Sequence, residues 1–141
     1  MKNLFITGIL MILFSGVSCN TQTDKKQEVV PVAGNDVEVY YFHMTTRCAT
    51  CNTIEAETRR NVEMLYPEQF KAGKISFTAL NIEEPTGKIT GERLGVNSQT
   101  LLIVKGDQKV NITNEGFLYA VAKPDKFRDV IKEKVDPLLI R

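Results

Sequence analysis

The fold of this chain is decided by residues 37–51, VEVYYFHMTTRCATC. The first seven residues of this stretch are rich in β-branched and aromatic side chains, which favour a buried strand. A polar link then leads to Cys48 and Cys51, which two residues separate. Residues 52–65 carry apolar side chains at helical spacing and a second, solvated face that includes Glu55. The stretch therefore predicts a strand and a helix with the cysteine pair at their junction.

The rest of the chain predicts three further strands and two further helices, in the overall order β-α-β-α-β-β-α. The strands are residues 75–82, 100–104 and 109–113, and the helices are a weak one at 88–94 and an amphipathic one that Pro124 opens. The run at 100–104 is continuously apolar, which is typical of a strand inside a sheet. Residues 109–113 alternate, as expected of an edge strand. Residues 115–123 fit either a loop or the start of the last helix.

The N-terminus, residues 1–18, predicts a lipoprotein signal peptide. A lysine precedes the apolar run at residues 4–14, which is too short to span a bilayer. Small residues lead to Cys19 and resemble a bacterial lipobox, although Gly16 stands where that motif prefers leucine. Ordinary secretory cleavage at about the same place is the alternative. Three cysteines leave one without a partner, and lipidation of Cys19 accounts for it.

The predicted domain organisation after the signal is simple. Residues 19–35 are polar and predict a flexible tether, whereas residues 36–141 predict one compact domain, expected to be monomeric. The whole chain has 18 Lys and Arg against 17 Asp and Glu, so no basic excess indicates nucleic-acid binding. The lipid predicts a location in the cell envelope, anchored to a bacterial membrane and facing the periplasm. Asn20 favours the outer membrane, because an aspartate there retains many lipoproteins in the inner membrane.

This order of elements, with a CxxC between the first strand and the first helix, resembles the thioredoxin superfamily over residues 37–139. The specific marks are YYFHMTTRCATC at 40–51 and LGVNSQTLLIVKGDQKV at 94–110. The resemblance implies a thioredoxin-like α/β fold with a central mixed four-stranded sheet flanked by helices. It also implies a thiol–disulfide oxidoreductase, without a cofactor, that acts on protein or small-molecule disulfides. By that resemblance Cys48 attacks the substrate, Cys51 resolves the mixed disulfide, and a membrane redox donor or acceptor exchanges electrons with the pair.

The position of the cysteine pair also favours redox chemistry on physical grounds. A helix start exposes Cys48 to unpaired backbone N–H groups and to the positive end of the helix dipole, which stabilise a thiolate. Arg47 adds a neighbouring cation. Cys51 is near enough to attack and expel a bound partner. The helix begins either at the cysteines or, if Asn52 and Glu55 form a capping box, just after them; by analogy Cys48 is the more exposed.

A cysteine pair also serves in structural zinc sites, in copper(I) sites and as a covalent staple. Structural zinc needs four ligands, and the chain offers two thiols and a single histidine, His43. Met44 and the cysteines loosely resemble the MxCxxC loop of copper(I) carriers, with a spacing that is wrong by two residues. The alternative function is thus a non-catalytic module whose CxxC is a redox switch or a copper ligand, although no metal is assigned. An inert staple is disfavoured because so short a ring constrains the unfolded chain little. His43 either tunes Cys48 or is a hydrogen-bonded structural residue.

The chain departs from the usual thioredoxin pattern at several positions. Arg47 replaces the tryptophan before the first cysteine, Ala-Thr replaces Gly-Pro between the cysteines, and Phe42 replaces a buried aspartate. The substrate loop of the family holds a cis-proline, whereas here it is Ser98, Gln99 and Thr100. A cis bond without proline costs about 3 kcal/mol, so a trans bond is expected. These departures indicate a specialised partner.

Overall fold

A four-stranded mixed sheet surrounded by helices forms the centre of the fold. The computed structural model describes residues 36–140, so the predicted signal peptide, lipidation site and tether lie outside the described residues. The strands are β1 (Val37–His43), β2 (Ile75–Asn81), β3 (Thr100–Lys105) and β4 (Gln108–Asn111). The helices are α1 (Ala49–Leu65), α2 (Pro67–Lys71), α3 (Pro85–Leu94), α4 (Thr113–Tyr119) and α5 (Pro124–Leu139). Within residues 36–140 no helix is long and apolar enough to cross a membrane.

The strand order in the sheet is β2-β1-β3-β4. β1 runs parallel to β2 and antiparallel to β3, and β3 runs antiparallel to β4. The apolar run of β3 therefore lies inside the sheet and β4 at its edge, as the sequence predicts. This mixed α/β architecture confirms the predicted fold class and is consistent with a thioredoxin-like arrangement.

The sheet separates two apolar clusters. Because side chains alternate along a strand, neighbouring tyrosines of β1 enter different clusters. Tyr41 is fully buried in the larger cluster with Ile54 of α1 and Phe127 of α5. Tyr40 is buried in the smaller cluster with Leu102 of β3. The two tyrosines therefore pack on opposite faces of the sheet.

Two prolines, one after the first predicted helix and one after the second predicted strand, each open a helix. Pro67 follows the end of α1 and occupies the first turn of the short helix α2. Pro85 occupies the first turn of α3. Proline is tolerated there because the first N–H groups of a helix have no partner inside it. The weak helix consequently starts at Pro85 rather than at residue 88. Residues 115–123 contain most of a separate helix, α4, which settles the ambiguity left by the sequence.

The glycines that weaken the helical pattern of α3 are needed for its packing. A Cβ on Gly87 would lie 1.9 Å from the carbonyl oxygen of Asn81, and one on Gly91 would lie 2.7 Å from that of Val96. Only glycine permits so close a backbone approach. Gly87 thus lets α3 lie against the end of β2, beside the loops that carry the candidate site, and Gly91 lets the segment after α3 pass close to the helix.

Candidate disulfide site

The sheet topology brings three loops to one edge. The carboxyl ends of the parallel strands β1 and β2 meet there, and Thr100, at the start of the antiparallel β3, is opposite Phe42, near the end of β1. The β1–α1 loop, the β2–α3 loop and residues 98–100 are therefore neighbours in space. Their positions in the sequence are far apart, so only the strand pairing joins them.

Cys48 and Cys51 form a disulfide in the β1–α1 loop at the start of α1, with their Cα atoms 5.0 Å apart. Cys48 is exposed, whereas Cys51 is only 6% exposed. The prediction that Cys48 is the more accessible sulfur is confirmed by this difference. An incoming thiol or disulfide would meet Cys48 first.

Cys48 is the N-cap residue of α1. Its backbone is extended, and its Sγ accepts a hydrogen bond of 3.1 Å from the backbone N–H of Cys51. The helix therefore begins at Ala49, and the capping box of Asn52 and Glu55 does not mark its start. No acidic residue lies in the first turn of α1. The positive end of the helix dipole thus acts on Cys48 without a nearby carboxylate in that turn to oppose it.

Arg47 does not act as an isolated cation beside the cysteines. Its guanidinium forms an ion pair with Glu55, and both side chains are about three-quarters buried, at 25% and 23% exposed. Among the described residues the Nε atom of Arg47 is buried without a hydrogen-bond partner. The prediction that Glu55 belongs to a solvated helix face is wrong, because the extended β1–α1 loop places Arg47 above it. Arg47 and Glu55 therefore act on Cys48 as a pair of opposite charges, together with the helix dipole.

Gln99 connects the disulfide to the core. Its Nε2 donates a hydrogen bond to the hydroxyl oxygen of Tyr41, and its Oε1 lies 3.9 Å from the Sγ of Cys51. Burial raises the pKa of Tyr41, and the hydrogen bond from Gln99 opposes that rise. The sequence predicts a substrate loop at Gln99 and gives no relation between Gln99 and Tyr41 of the first strand. No local pattern joins two residues that lie 58 positions apart.

The loop before β3 has ordinary backbone geometry. Within residues 36–140 every peptide bond is trans, so the expected trans bond before Gln99 is confirmed. Ser98 is exposed, and its carbonyl accepts a 3.1 Å hydrogen bond from the Oγ1 of the buried Thr100. Contact of these residues with a substrate stays a prediction.

His43 has the contacts of a structural histidine. Its Nδ1 lies 3.0 Å from the carbonyl oxygen of Met44, and its ring centroid lies 6.3 Å from that of Tyr41. Both contacts are to residues of β1 or next to it. A tuning role for His43 toward Cys48 stays a prediction.

Hydrogen bonds join the loop that precedes the cysteines to the end of β2. The backbone N–H of Thr45 donates to Glu83 Oε2 at 2.7 Å, and Asn81 Nδ2 donates to Thr45 Oγ1 at 2.9 Å. The hydrogen bonds from Thr45 lower the pKa of Glu83. This anchor has no signal in the local sequence, because its partners are 36 and 38 residues apart and become neighbours only through the β1–β2 pairing.

A cleft of about 310 Å³ lies between the β1–α1 loop, the end of β2 and α3. Its apolar part consists of Met44, Ile82 and Val96, and its other lining residues are Glu83, Lys88, Glu92 and Asn97. Met44 therefore lines a cleft whose lining does not include either cysteine. Across residues 36–140 no group of three or more His, Cys, Asp or Glu side chains is placed to hold a metal ion.

Comparison with known proteins identifies no family for this chain. Neither a protein-family model nor a curated protein matches the chain. One solved structure, described as "Structure of a malarial protein", is 18% identical over 53% of this chain and 75% of that chain, with a TM-score of 0.39. A likeness at that level bears on neither fold nor function. The mixed sheet, its helices and the Cys48–Cys51 disulfide are compatible with a thioredoxin-like fold, and the cysteine pair is compatible with a redox function.

Proposed function

We propose that this protein is a thiol–disulfide oxidoreductase, with Cys48 as the nucleophile and Cys51 as the resolving thiol. The observation that carries the proposal is the asymmetry of the pair. Cys48 is exposed and caps α1, while Cys51 is buried one turn into the helix. One sulfur is accessible to a substrate, and the other is held where it can attack the first.

The start of α1 supplies the activation that a nucleophilic sulfur needs. A thiolate is the reactive form, and at neutral pH a free cysteine is mostly thiol. In the dithiol form, the N–H of Cys51 and the helix dipole would favour a negative charge on Cys48. Arg47, which is paired with Glu55, adds a positive charge at the residue immediately before Cys48.

The exposure of Cys48 suits protein or small-molecule disulfides as substrates. In an oxidising envelope, net reduction requires a membrane redox donor and net oxidation requires an acceptor. A lipid on Cys19 would keep the domain at the membrane surface, where such a partner is met. This location and these partners belong to the proposal, since Cys19 lies outside the described residues.

The proposal is tested on the full chain in detergent, with Cys19→Ser so that only Cys48 and Cys51 remain as thiols. We expect reduction and reoxidation of the pair in glutathione buffers while the fold is retained. With oxidised glutathione as the probe, reduced Cys51→Ser accumulates a mixed disulfide on Cys48, and the matched Cys48→Ser variant does not.

Two results would overturn the function. One is a pair that is reduced only when the protein unfolds, which would make the disulfide an inert staple. The other is tight copper(I) binding by the reduced chain without any disulfide exchange, which would favour the metal-ligand alternative. Circular dichroism of each redox form separates the first result from simple resistance to the reductant.

A further inference from the structure

The side-chain amide of Gln99 contacts the buried sulfur of Cys51 through its oxygen and the core residue Tyr41 through its nitrogen. Tyr41, fully buried, accepts a hydrogen bond from Gln99 Nε2, which leaves Gln99 Oε1 facing Cys51 Sγ at 3.9 Å. Cys51 itself is only 6% exposed. A polar side chain of the loop before β3 is therefore turned inward, toward the sulfur that a substrate does not reach first.

We propose that Gln99 is a positioning residue of the disulfide site, whose carbonyl oxygen keeps the Cys51 thiol protonated and oriented while Cys48 makes the first attack. Tyr41 has the secondary role of orienting the Gln99 amide. This assignment rests on the proposed oxidoreductase function. The assignment adds that the two sulfurs differ in protonation state, and that the contact between Gln99 and Cys51 produces this difference.

The physical reason is the chemistry of the reduced pair. On reduction Cys51 gains an S–H, which can donate to Gln99 Oε1, whereas a Cys51 thiolate would face that oxygen with no proton between them. A hydrogen bond to the neutral form of a group disfavours its charged form, and burial acts in the same direction. Cys48 has the opposite surroundings, because it is exposed and receives an N–H hydrogen bond at the helix start. The pair therefore holds its negative charge on Cys48.

The sequence of bond changes shows when this matters. The Cys48 thiolate attacks one sulfur of a substrate disulfide, the substrate S–S bond breaks, and the departing substrate thiolate takes a proton from water. Cys51 then gives its proton to water, its sulfur attacks Cys48 Sγ, and the mixed disulfide breaks to release the second substrate thiolate. The protein dithiol loses two electrons and the substrate disulfide gains them. Gln99 exchanges no electron, and it holds the Cys51 proton until the second step.

The test measures both thiol pKa values in the reduced full chain carrying Cys19→Ser, from the pH dependence of the cysteine Cβ chemical shifts. Gln99→Met keeps the length of the side chain and removes the acceptor, and we expect the Cys51 pKa to fall by about one unit. Gln99→Glu restores an acceptor oxygen and is expected to keep that pKa at or above its parent value. Ser98→Ala, in the same loop but exposed, is the matched control and is expected to change neither value.

A Cys51 pKa that stays constant or rises in Gln99→Met would overturn the proposal. A rise would mean that the amide presents its N–H groups to the sulfur. If Gln99→Met fails to fold, Tyr41→Phe, which keeps the buried ring, provides the second test, with a smaller fall in the same pKa. Exchange with oxidised glutathione is followed on the same samples. If the Cys51 pKa falls as expected but no exchange with glutathione occurs, the oxidoreductase function is wrong. If exchange is normal but the Cys51 pKa is unchanged, only the role of Gln99 is wrong.

Discussion

At the scale of single residues, the site is built from side chains whose partners come from other elements. Arg47 and Glu55 illustrate this, since the sequence predicts a cation beside Cys48 and a separate solvated glutamate. The ion pair joins them and leaves about a quarter of each side chain exposed. Arg47 therefore acts on Cys48 through a charge that Glu55 largely balances.

This pairing predicts opposite effects of two substitutions on the Cys48 pKa in the reduced chain. Glu55→Gln leaves the charge of Arg47 unbalanced and should lower that pKa by about half a unit, whereas Arg47→Gln should raise it by a similar amount. The pH dependence of alkylation in the Cys19→Ser background measures it. Glu63→Gln, exposed two turns further along α1, should have no effect, and parallel shifts in Arg47→Gln and Glu55→Gln would contradict this account.

At the scale of elements, the placement of α3 depends on close backbone contact as well as on the packing of Leu94 against the smaller apolar cluster. Gly87 and Gly91 face carbonyl oxygens of Asn81 and Val96 at distances that no Cβ tolerates. A propensity scale counts both glycines against a helix, because glycine has a larger entropy of the unfolded chain to lose. The close approach explains why the chain uses them.

Gly87→Ala is expected to destabilise the protein by about 3 kcal/mol, because the backbone of Asn81 and Ile82 occupies the space that the new methyl group needs. Urea unfolding of the oxidised chain gives the loss. Lys88→Ala, at the next position and exposed, should change the free energy of unfolding by no more than about 0.5 kcal/mol. A neutral or stabilising Gly87→Ala would show that α3 lies farther from β2 than the described contact.

At the scale of the whole molecule, buried tyrosines connect stability to alkaline pH. The hydroxyl of Tyr40 donates to Glu38 Oε1 at 2.8 Å, in the smaller apolar cluster beside β3. Burial first, and then Glu38, raise the pKa of Tyr40 to about 12 from its usual value of 10.0, against a lowering by Arg93. The folded state therefore holds the Tyr40 proton more tightly than the unfolded chain does.

The sign of the pH dependence follows from that difference. The contribution of Tyr40 to stability is fully present below pH 10 and is lost as the pH rises through about 12, because the unfolded chain ionises first. Wild type should therefore lose stability relative to Tyr40→Phe between pH 9 and 11.5, as followed by urea unfolding. Comparison with Tyr40→Phe at each pH cancels the titration of all other groups. A constant difference between the two proteins across this range would refute the assignment.

Much of the fold could be predicted from local patterns. The β-branched and aromatic run of β1, the continuous apolar run of β3 and the helix of α5 are each strong periodic signals, and all three were found. Element starts were less predictable: α3 begins at Pro85 because a proline fits the first turn of a helix as well as it ends another. The helix start at Cys48 was one of two open alternatives, and the cap geometry decided it.

The sequence by itself determined the order of the four strands and of α1, α3 and α5, the position of Cys48 and Cys51 between β1 and α1, and the loop before β3. These depend on side-chain periodicity and on spacing of a few residues. The tertiary structure alone decided which distant groups meet at the disulfide. Gln99 stands between Cys51 and Tyr41 because the antiparallel pairing of β1 with β3 joins segments 48 to 58 positions apart. Glu55 faces Arg47 because the loop between β1 and α1 lies over the first turns of α1. Such contacts leave no periodic trace in a single sequence. The exposure of Cys48 and the burial of Cys51 follow from the same packing.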